Sequence, residues 1–192
     1  MIARRLALPD APPDTCVYQV DHSDTIVAVG GDWDRFAADN GGGTRCEARQ
    51  VVGASLWDFI AGDETQHLYG LVLGRVRALG RPVVLPSRCD GPRIRRFLSI
   101  SITPLEDGAV RFDSTVVRTE ARAPVALLDA NAPRSLEVVR ICSVCKDVHI
   151  EGGWVSIEDA ITSLGLFDKP TLPRLSHGLC SPCFDDVMTD EG

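Results

Sequence analysis

Four cysteines near the C-terminus are arranged in two pairs that have the spacing of metal ligands. The first pair is Cys142-Ser-Val-Cys145, and the second is Cys180-Ser-Pro-Cys183. A C-x2-C turn places two thiolates on one side of a tight loop, and two such turns that face each other form a tetrahedral sulfur cage. The spacing therefore predicts that the last third of the chain folds around a metal ion bound by these four residues.

Three kinds of chemistry are open to this four-cysteine site. A closed Zn2+ site is structural, because it has no open position for water, and it contributes folding free energy to a module with little core of its own. Iron, as a single ion or in an iron–sulfur cluster, is bound by the same four thiolates. A redox switch, in which one pair forms a disulfide, is the third alternative. Zn2+ is the cofactor that we expect.

Two further side chains lie next to the cysteine pairs in the sequence. His177 comes three residues before Cys180. We expect it to donate a hydrogen bond to a thiolate from outside the ligand shell, or else to replace one cysteine as a ligand. Lys146 directly follows Cys145 and would offset thiolate charge. For both residues the alternative is an ordinary solvated side chain.

The composition is that of a soluble protein with one or two domains. The 192 residues are 44% hydrophobic and 24% charged, and the net charge is −7; these are ordinary values apart from the acidity. A nucleic-acid partner is disfavoured, because contact with phosphates needs a basic face. No apolar run approaches the roughly 20 residues that span a bilayer, and the N-terminus lacks the apolar stretch of a signal peptide. We therefore expect a cytoplasmic protein with no membrane partner.

The other three of the seven cysteines, Cys16, Cys46 and Cys89, are scattered singly. In the cytoplasm the thiols of such residues stay reduced, so a disulfide framework is not expected. We predict that each is a small buried or half-buried residue.

Hydrophobic periodicity predicts alternating strands and helices over the first two thirds of the chain. The predicted strands cover residues 16–20, 25–29, 83–85, 94–102 and 110–117. The predicted helices cover residues 33–38 and Asp63 to about Leu79, the second with a core stripe of Leu68, Leu71, Val72, Val76 and Leu79. We expect the aromatic residues Trp33, Phe36, Trp57 and Phe59 to build the core.

Four segments follow from these patterns. Residues 1–14 are an N-terminal extension, 15–122 a first domain, 123–135 a linker rich in alanine and proline, and 136–192 a small zinc-ribbon-like module. Within the module we predict a helix from Ile157 to about Leu164, capped by Ser156, an extended return near 169–173, and a short helix over 182–188.

The order of elements from Thr15 to Arg122 resembles that of a PAS domain, in which helices are inserted between the second and third strands of a five-stranded antiparallel sheet. Val51-Val-Gly53 followed by Leu56-Trp-Asp-Phe-Ile60 is similar to the stretch before the long PAS helix. Asp32-Trp-Asp-Arg-Phe-Ala-Ala-Asp-Asn40 is similar to the segment after the second strand, with Asp32 in place of the usual Asn. The resemblance covers a little over half the chain. It implies an α+β, PAS-like sensory domain that binds a small molecule, docks on a protein partner or dimerises.

The C-terminal cysteine segment also resembles a known tail. Ile141-Cys-Ser-Val-Cys-Lys146, Trp154 and Ser176-His-Gly-Leu-Cys-Ser-Pro-Cys183 are similar to a CxxC…SHGxCxxC tail attached to bacterial sensor and response-regulator proteins. This resemblance implies a signalling context and assigns no partner to the tail.

A ligand site in the PAS-like domain would use Trp33, Phe36, Trp57 and His67. His67 lies early in the long helix, which resembles the helix that carries the proximal histidine of haem-binding PAS oxygen sensors. The alternative is an ordinary histidine on the helix surface. A flavin-binding light sensor is disfavoured, because the segment around Cys46 does not match the Asn-Cys-Arg-Phe-Leu motif of such sensors.

Four arginines, Arg88, Arg93, Arg95 and Arg96, lie on or beside two neighbouring predicted strands. They would line a face that binds an anion or a protein, or they form a solvated strand face paired with acidic neighbours. The second interpretation is the one that we favour.

The sequence contains no enzyme motif that we recognise: G-x-S-x-G, the P-loop, G-x-G-x-x-G after a strand and H-E-x-x-H are all absent. The predicted function is therefore that of a non-catalytic signalling protein, in which a PAS-like domain for ligand binding or protein interaction is joined to a structural zinc module. One alternative is a redox or metal sensor whose sensing element is the four-cysteine site. The other is a haem-binding PAS sensor that uses His67.

Overall fold

The computed structural model describes residues 14–39 and 42–189, which form nine strands and five α-helices. The strands are β1 Thr15–Val20, β2 Ile26–Gly31, β3 Val83–Arg88, β4 Ile94–Pro104, β5 Val110–Ala121, β6 Arg134–Cys142, β7 Val148–Ile150, β8 Gly153–Val155 and β9 Leu172–Gly178. The helices are α1 Trp33–Asp39, α2 Ala48–Val51, α3 Asp63–Leu79, α4 Ile157–Ser163 and α5 Ser181–Thr189. None of these helices is long and apolar enough to span a bilayer.

Strands β1 to β5 form one antiparallel sheet in the order β2-β1-β5-β4-β3. Strand β1 is antiparallel to both of its neighbours, and its register with β5 pairs Cys16 with Ser114 and Tyr18 with Phe112. Helices α1, α2 and α3 are all inserted between β2 and β3. This is the PAS-like arrangement, so the predicted α+β fold class is confirmed.

Strands β6 to β9 form a second sheet in the order β8-β7-β6-β9. The pairing of β6 with β9 is parallel, with Cys142 opposite Gly178. Parallel strands need a crossover connection, and here the connection contains β7, β8 and α4. The sequence predicted an extended chain before the second cysteine pair, but it did not predict that this chain joins a sheet.

Contacts divide the chain into two compact units. The first comprises the described residues up to Ile60 together with Tyr69–Leu85 and Leu98–Val117, and the second comprises Ala61–Leu68, Pro86–Phe97 and the described residues from Arg118 onward.

Helix α3 begins and ends at the predicted residues, because its acidic first turn suits the helix dipole and Gly80, at φ 63°, adopts the left-handed conformation that ends helices. Four of its apolar side chains are buried, namely Leu68, Val72, Leu73 and Val76. The predicted stripe was wrong at two positions, since Leu71 is 37% exposed and Leu79 is 50% exposed. Leu71 does not lie on the buried face of the helix, and Leu79 is the last residue of the helix.

The prediction that four large aromatic residues build the core was wrong. Trp33, Phe36, Trp57 and Phe59 are all half-buried, whereas Phe112 is fully buried. The two indoles also need hydrogen-bond acceptors. The Nε1 atom of Trp33 donates to the backbone oxygen of Cys46 at 2.7 Å, and that of Trp57 donates to a carboxylate oxygen of Asp24 at 3.1 Å.

The second unit has its own hydrophobic core. Its buried members are Val125, Leu127, Ile141, Val148, Ile157, Ala160, Ile161, Leu166 and Leu172. Two of them, Val125 and Leu127, come from the segment 123–135 that the sequence predicted as a linker. The guanidinium group of Arg134 donates to the backbone oxygens of Leu127 and Asp129 and so fixes the conformation of this segment.

Candidate metal centre and ligand cavity

The structure brings the four predicted cysteine ligands together. The Sγ atoms of Cys142, Cys145, Cys180 and Cys183 all lie within 4.8 Å of one another. Between the two pairs, the Sγ atoms of Cys145 and Cys180 are 3.8 Å apart. A tetrahedral ion with metal–sulfur bonds of about 2.3 Å separates its ligands by about 3.8 Å. The group therefore has the dimensions of a site for a single metal ion.

A separation of no more than 4.8 Å among all four Sγ atoms fits a single zinc or iron ion.

The first cysteine pair lies in a tight turn at the end of β6. The backbone N–H of Lys146 donates to the oxygen of Cys142 at 3.1 Å, and the N–H of Cys142 donates to the oxygen of Asp147 at 2.7 Å. Lys146 has a φ of 65°, in the left-handed region, and this conformation lets the chain reverse into β7. Both thiols consequently lie on the same side of the turn.

The second pair is placed beside the first by the parallel pairing of β6 with β9. The N–H of Ser143, within the first pair, donates to the oxygen of Gly178 at 2.9 Å. Cys180 follows two residues after β9 ends, and α5 then begins at Ser181, so that Cys183 lies in its first turn. Cys142 and Cys180 are buried, and Cys145 and Cys183 are half-buried.

The pKa values of the cysteine thiols are shifted in different directions. The pKa of Cys142 is lowered, chiefly because the thiol of Cys145 donates a hydrogen bond to it and further because the N–H groups of Cys180, Cys145 and Val144 point to its sulfur. The pKa of Cys145 is raised by the same hydrogen bond and by burial. Burial raises the pKa of Cys183 to about 12. A bound cation would replace the protons of these thiols.

The two side chains predicted to support the site take different positions. The Nζ atom of Lys146 donates to the backbone oxygen of Ser143 at 2.6 Å. Burial lowers the pKa of Lys146, and the nearby thiols Cys89 and Cys142 act in the opposite direction. His177 lies in β9 opposite Ile141 and is exposed. Within the described residues it makes no side-chain hydrogen bond to the four cysteines.

Residues of α3 that belong to the second unit contact both cysteine turns. The hydroxyl oxygens of Thr65 and Ser143 are 2.6 Å apart. The N–H of Leu179 donates to a carboxylate oxygen of Glu64 at 2.9 Å, and Glu64 also forms an ion pair with Arg140. The sequence did not indicate these partners. They are far apart along the chain, and no local pattern connects them.

The first unit contains a largely apolar cavity of about 300 Å³. It lies among β1, α1, β4 and β5, and its lining includes Tyr18, Trp33, Phe36, Leu98 and Val116. The single cysteines Cys16 and Cys46 also line it, which agrees with their half-buried state.

The four residues predicted for a ligand site in the PAS-like domain do not share this cavity in the described part of the chain. Trp33 and Phe36 line it. Trp57 does not, and its indole is directed to Asp24. His67 is exposed in a groove of the second unit, beside Glu64 and Phe184.

Two of the four arginines predicted near β3 and β4, Arg88 and Arg95, are paired with carboxylates. Arg88 and Arg122 both contact Asp90, whose side chain is 0% exposed. Arg95 and Arg122 both contact Glu158. Burial alone would raise the pKa of Glu158, but the hydrogen bond from Arg95 and the charges of both arginines lower it.

Comparisons with known proteins gave structural similarities only. No protein-family model matches the chain, and no curated protein matches it. A domain of an HTR-like protein from Haloarcula marismortui is 13% identical over 55% of this chain and 99% of its own, with a TM-score of 0.40. The PAS domain of the quorum-sensing receptor RpfR from Cronobacter turicensis, in complex with BDSF, is 13% identical over 56% of this chain and 98% of its own, with a TM-score of 0.40.

A domain of the sensory box sensor histidine kinase/response regulator from Geobacter sulfurreducens is 11% identical over 53% of this chain and 82% of its own, with a TM-score of 0.38. The fold assignment itself rests on the strand order of the five-stranded sheet and on the position of the inserted helices.

Proposed function

We propose that the protein is a non-catalytic signalling protein in which a PAS-like domain, residues 15–122, binds a small molecule or a protein partner. A module at residues 136–192 is held together by one structural Zn2+ bound by Cys142, Cys145, Cys180 and Cys183. The observation that carries the proposal is the convergence of the four Sγ atoms from two separate turns to within 4.8 Å of one another. The protein acts by contact, including self-association, in the cytoplasm, where its thiols stay reduced.

A structural role suits this site better than a catalytic one. Four thiolates complete the tetrahedral shell of Zn2+, so no position is open for water or substrate. Cys142 and Cys180 are also buried. A structural site of this kind needs no general base. Lys146, whose Nζ atom donates to the backbone oxygen of Ser143 beside the first pair, offsets part of the thiolate charge.

The sensory role is supported by the PAS-like sheet and by the apolar cavity beneath α1. Sites for small molecules are concave, mainly apolar and largely preformed. The cavity has these properties. Haem binding through His67 receives no such support, because His67 lies outside this cavity and is exposed.

Metal analysis of anaerobically purified full-length protein, together with an absorption spectrum, tests the zinc assignment. The expected result is a colourless protein with about one zinc ion per chain. Cys180→Ala should lose the metal, whereas the matched variant Cys89→Ala should keep it. A coloured, iron-containing protein or a metal-free wild type would overturn the proposal.

A second candidate function, a redox sensor, is favoured by one distance. The 3.8 Å between the Sγ atoms of Cys145 and Cys180 would let a hydroperoxide oxidise the two thiolates to a disulfide. The two thiolates give two electrons to the O–O bond, which breaks, and two protons from solvent complete water and an alcohol or a second water, while the S–S bond forms and the metal is released. Mass spectrometry after peroxide treatment would show this disulfide together with free zinc. Single-cysteine sulfonic acids without zinc release would contradict it.

A further inference from the structure

We infer that the cavity in the first unit takes a small, uncharged and mainly apolar ligand with one oxygen atom that hydrogen-bonds to the hydroxyl group of Tyr18. The inference rests on the proposed ligand-binding role of the PAS-like domain, and it adds the chemical class of the ligand and the residue that orients it.

The size of the cavity sets the size of the ligand. An apolar cavity of about 150 Å³ in another protein holds one benzene molecule. The volume here is about 300 Å³, so the ligand has about a dozen non-hydrogen atoms. This corresponds to two fused rings or to a chain of similar bulk.

The charge of the lining disfavours an ionised group inside the cavity. No lysine, arginine or histidine is among the described residues that line the cavity. Its one charged lining residue, Asp14, is exposed and pairs with Arg35 at 2.9 Å. A carboxylate or phosphate inside this cavity would lose its hydration without gaining a cation, which is unfavourable by several kcal/mol or more.

Tyr18 provides the polar anchor. Its ring stacks on Phe112 with a centroid distance of 4.4 Å and meets the edge of Trp33 at 5.8 Å. The ring is therefore held in place. Within the described residues its hydroxyl group has no hydrogen-bond partner, and since Tyr18 is half-buried and this oxygen is not among the buried unpartnered polar atoms, it keeps accessible surface.

The Tyr18 hydroxyl is available to donate a hydrogen bond to a ligand. Burial, and to a smaller extent the neighbouring Tyr69, raise the pKa of Tyr18 well above its ordinary value, so the phenol stays neutral and can donate. The Nε1 atom of Trp33 already donates to the backbone oxygen of Cys46. Of the two described lining residues that carry a hydroxyl group, Tyr18 and Ser114, Tyr18 is the one whose hydroxyl is carried on a packed ring, and we assign the hydrogen bond to it.

Three probes of matched shape test the inference: naphthalene, 2-naphthol and 2-naphthoate. Equilibrium dialysis against the full-length protein at pH 7 measures each dissociation constant. Tyr18→Phe should weaken 2-naphthol by about fivefold to tenfold, the effect of one hydrogen bond, and should change naphthalene by less than about twofold, because the ring and its packing are kept. Wild-type protein should bind 2-naphthoate at least about tenfold more weakly than 2-naphthol.

Controls separate the possible failures. Leu98→Trp places a larger side chain in the cavity and should abolish binding of both uncharged probes, with circular dichroism confirming the fold of each variant. If none of the three probes binds to the wild type, the ligand-binding part of the proposed function fails. If the probes bind but 2-naphthoate binds most tightly, or 2-naphthol is insensitive to Tyr18→Phe, only the present inference is overturned. The naphthoate comparison requires no variant.

Discussion

Thr65 and Ser143 are 78 positions apart in the chain, yet their hydroxyl oxygens are 2.6 Å apart. Ser143 lies between Cys142 and Cys145 of the candidate metal site, and Thr65 is 6% exposed. A buried hydroxyl that loses its partner retains the cost of its desolvation. The bond therefore fixes the first cysteine turn against the beginning of α3.

A double-mutant cycle should measure this contact. We expect Thr65→Val and Ser143→Ala to be coupled by about 1 kcal/mol in the free energy of unfolding, as determined by urea titration. Thr162→Val removes an exposed hydroxyl that bonds only to the backbone of its own helix, and it should change stability by less than about 0.5 kcal/mol. Strictly additive effects of the two substitutions would show that the contact contributes nothing.

Metal removal should act mainly on the second sheet. Zn2+ binding supplies folding free energy to small modules, and both turns that hold the ion are formed at the ends of β6 and β9. After chelation we expect amide hydrogen exchange in β6 and β9 to accelerate by at least about a hundredfold, with a smaller change in β1 and β5. Unchanged protection in β6 and β9 would show that the ion is not structural.

Asp90 should be a strong determinant of stability. Its side chain is 0% exposed and accepts hydrogen bonds from Arg88 and Arg122, and the Arg122 side chain is itself 3% exposed. Removing one partner from a buried charge cluster leaves the others uncompensated, so Asp90→Asn should cost about 3 kcal/mol in thermal or chemical unfolding.

The matched control for Asp90 is an exposed ion pair. Glu47 and Arg49 are 2.7 Å apart with side chains 37% and 65% exposed, and Glu47→Gln should cost no more than about 1 kcal/mol. Equal losses in the two variants would contradict the importance of burial.

An alkaline titration should report on the two tyrosines of the chain, Tyr18 and Tyr69. Burial raises the pKa of both above the ordinary value of 10.0. A group with a raised pKa in the folded state contributes stability that is complete below the unfolded value and is lost as the pH rises through the folded one. We therefore expect little phenolate absorbance at 295 nm near pH 10 and a loss of stability above it. Normal ionisation of either phenol at pH 10 in the folded protein would be inconsistent with its burial.

Local patterns were sufficient to predict much of the first sheet and the identity of the metal-site candidates. Helix α3 was predicted from Asp63 to Leu79 because its dipole charges, apolar spacing and terminal glycine all act within a few residues. The C-x2-C spacing of each cysteine pair is likewise a local signal that spans only four residues. By contrast, the orientation of an indole ring depends on which acceptor its N–H group reaches. For Trp57 that acceptor is Asp24, which lies 33 positions away in the chain.

Distant partners account for most of what could not be predicted. The parallel pairing of β6 with β9 joins segments separated by a helix, and nothing in either segment specifies the other. The same holds for the clustering of Arg122 with Asp90 and Glu158, and for the hydrogen bond of Thr65. The exposed place of His67 and the cavity beneath α1 likewise follow only from the assembled fold.

The two cysteine turns enclose a loop, since Cys145 and Cys180 are 35 positions apart. An ion that joins them restricts the unfolded chain much as a cross-link does, which for a loop of this length amounts to about 4 kcal/mol. The entropic penalty grows only with the logarithm of loop length, about 0.6 kcal/mol for each doubling. Lys169 and Pro170 are exposed and lie within this loop. A peptide inserted there would consequently change the stabilisation by the bound ion only slightly.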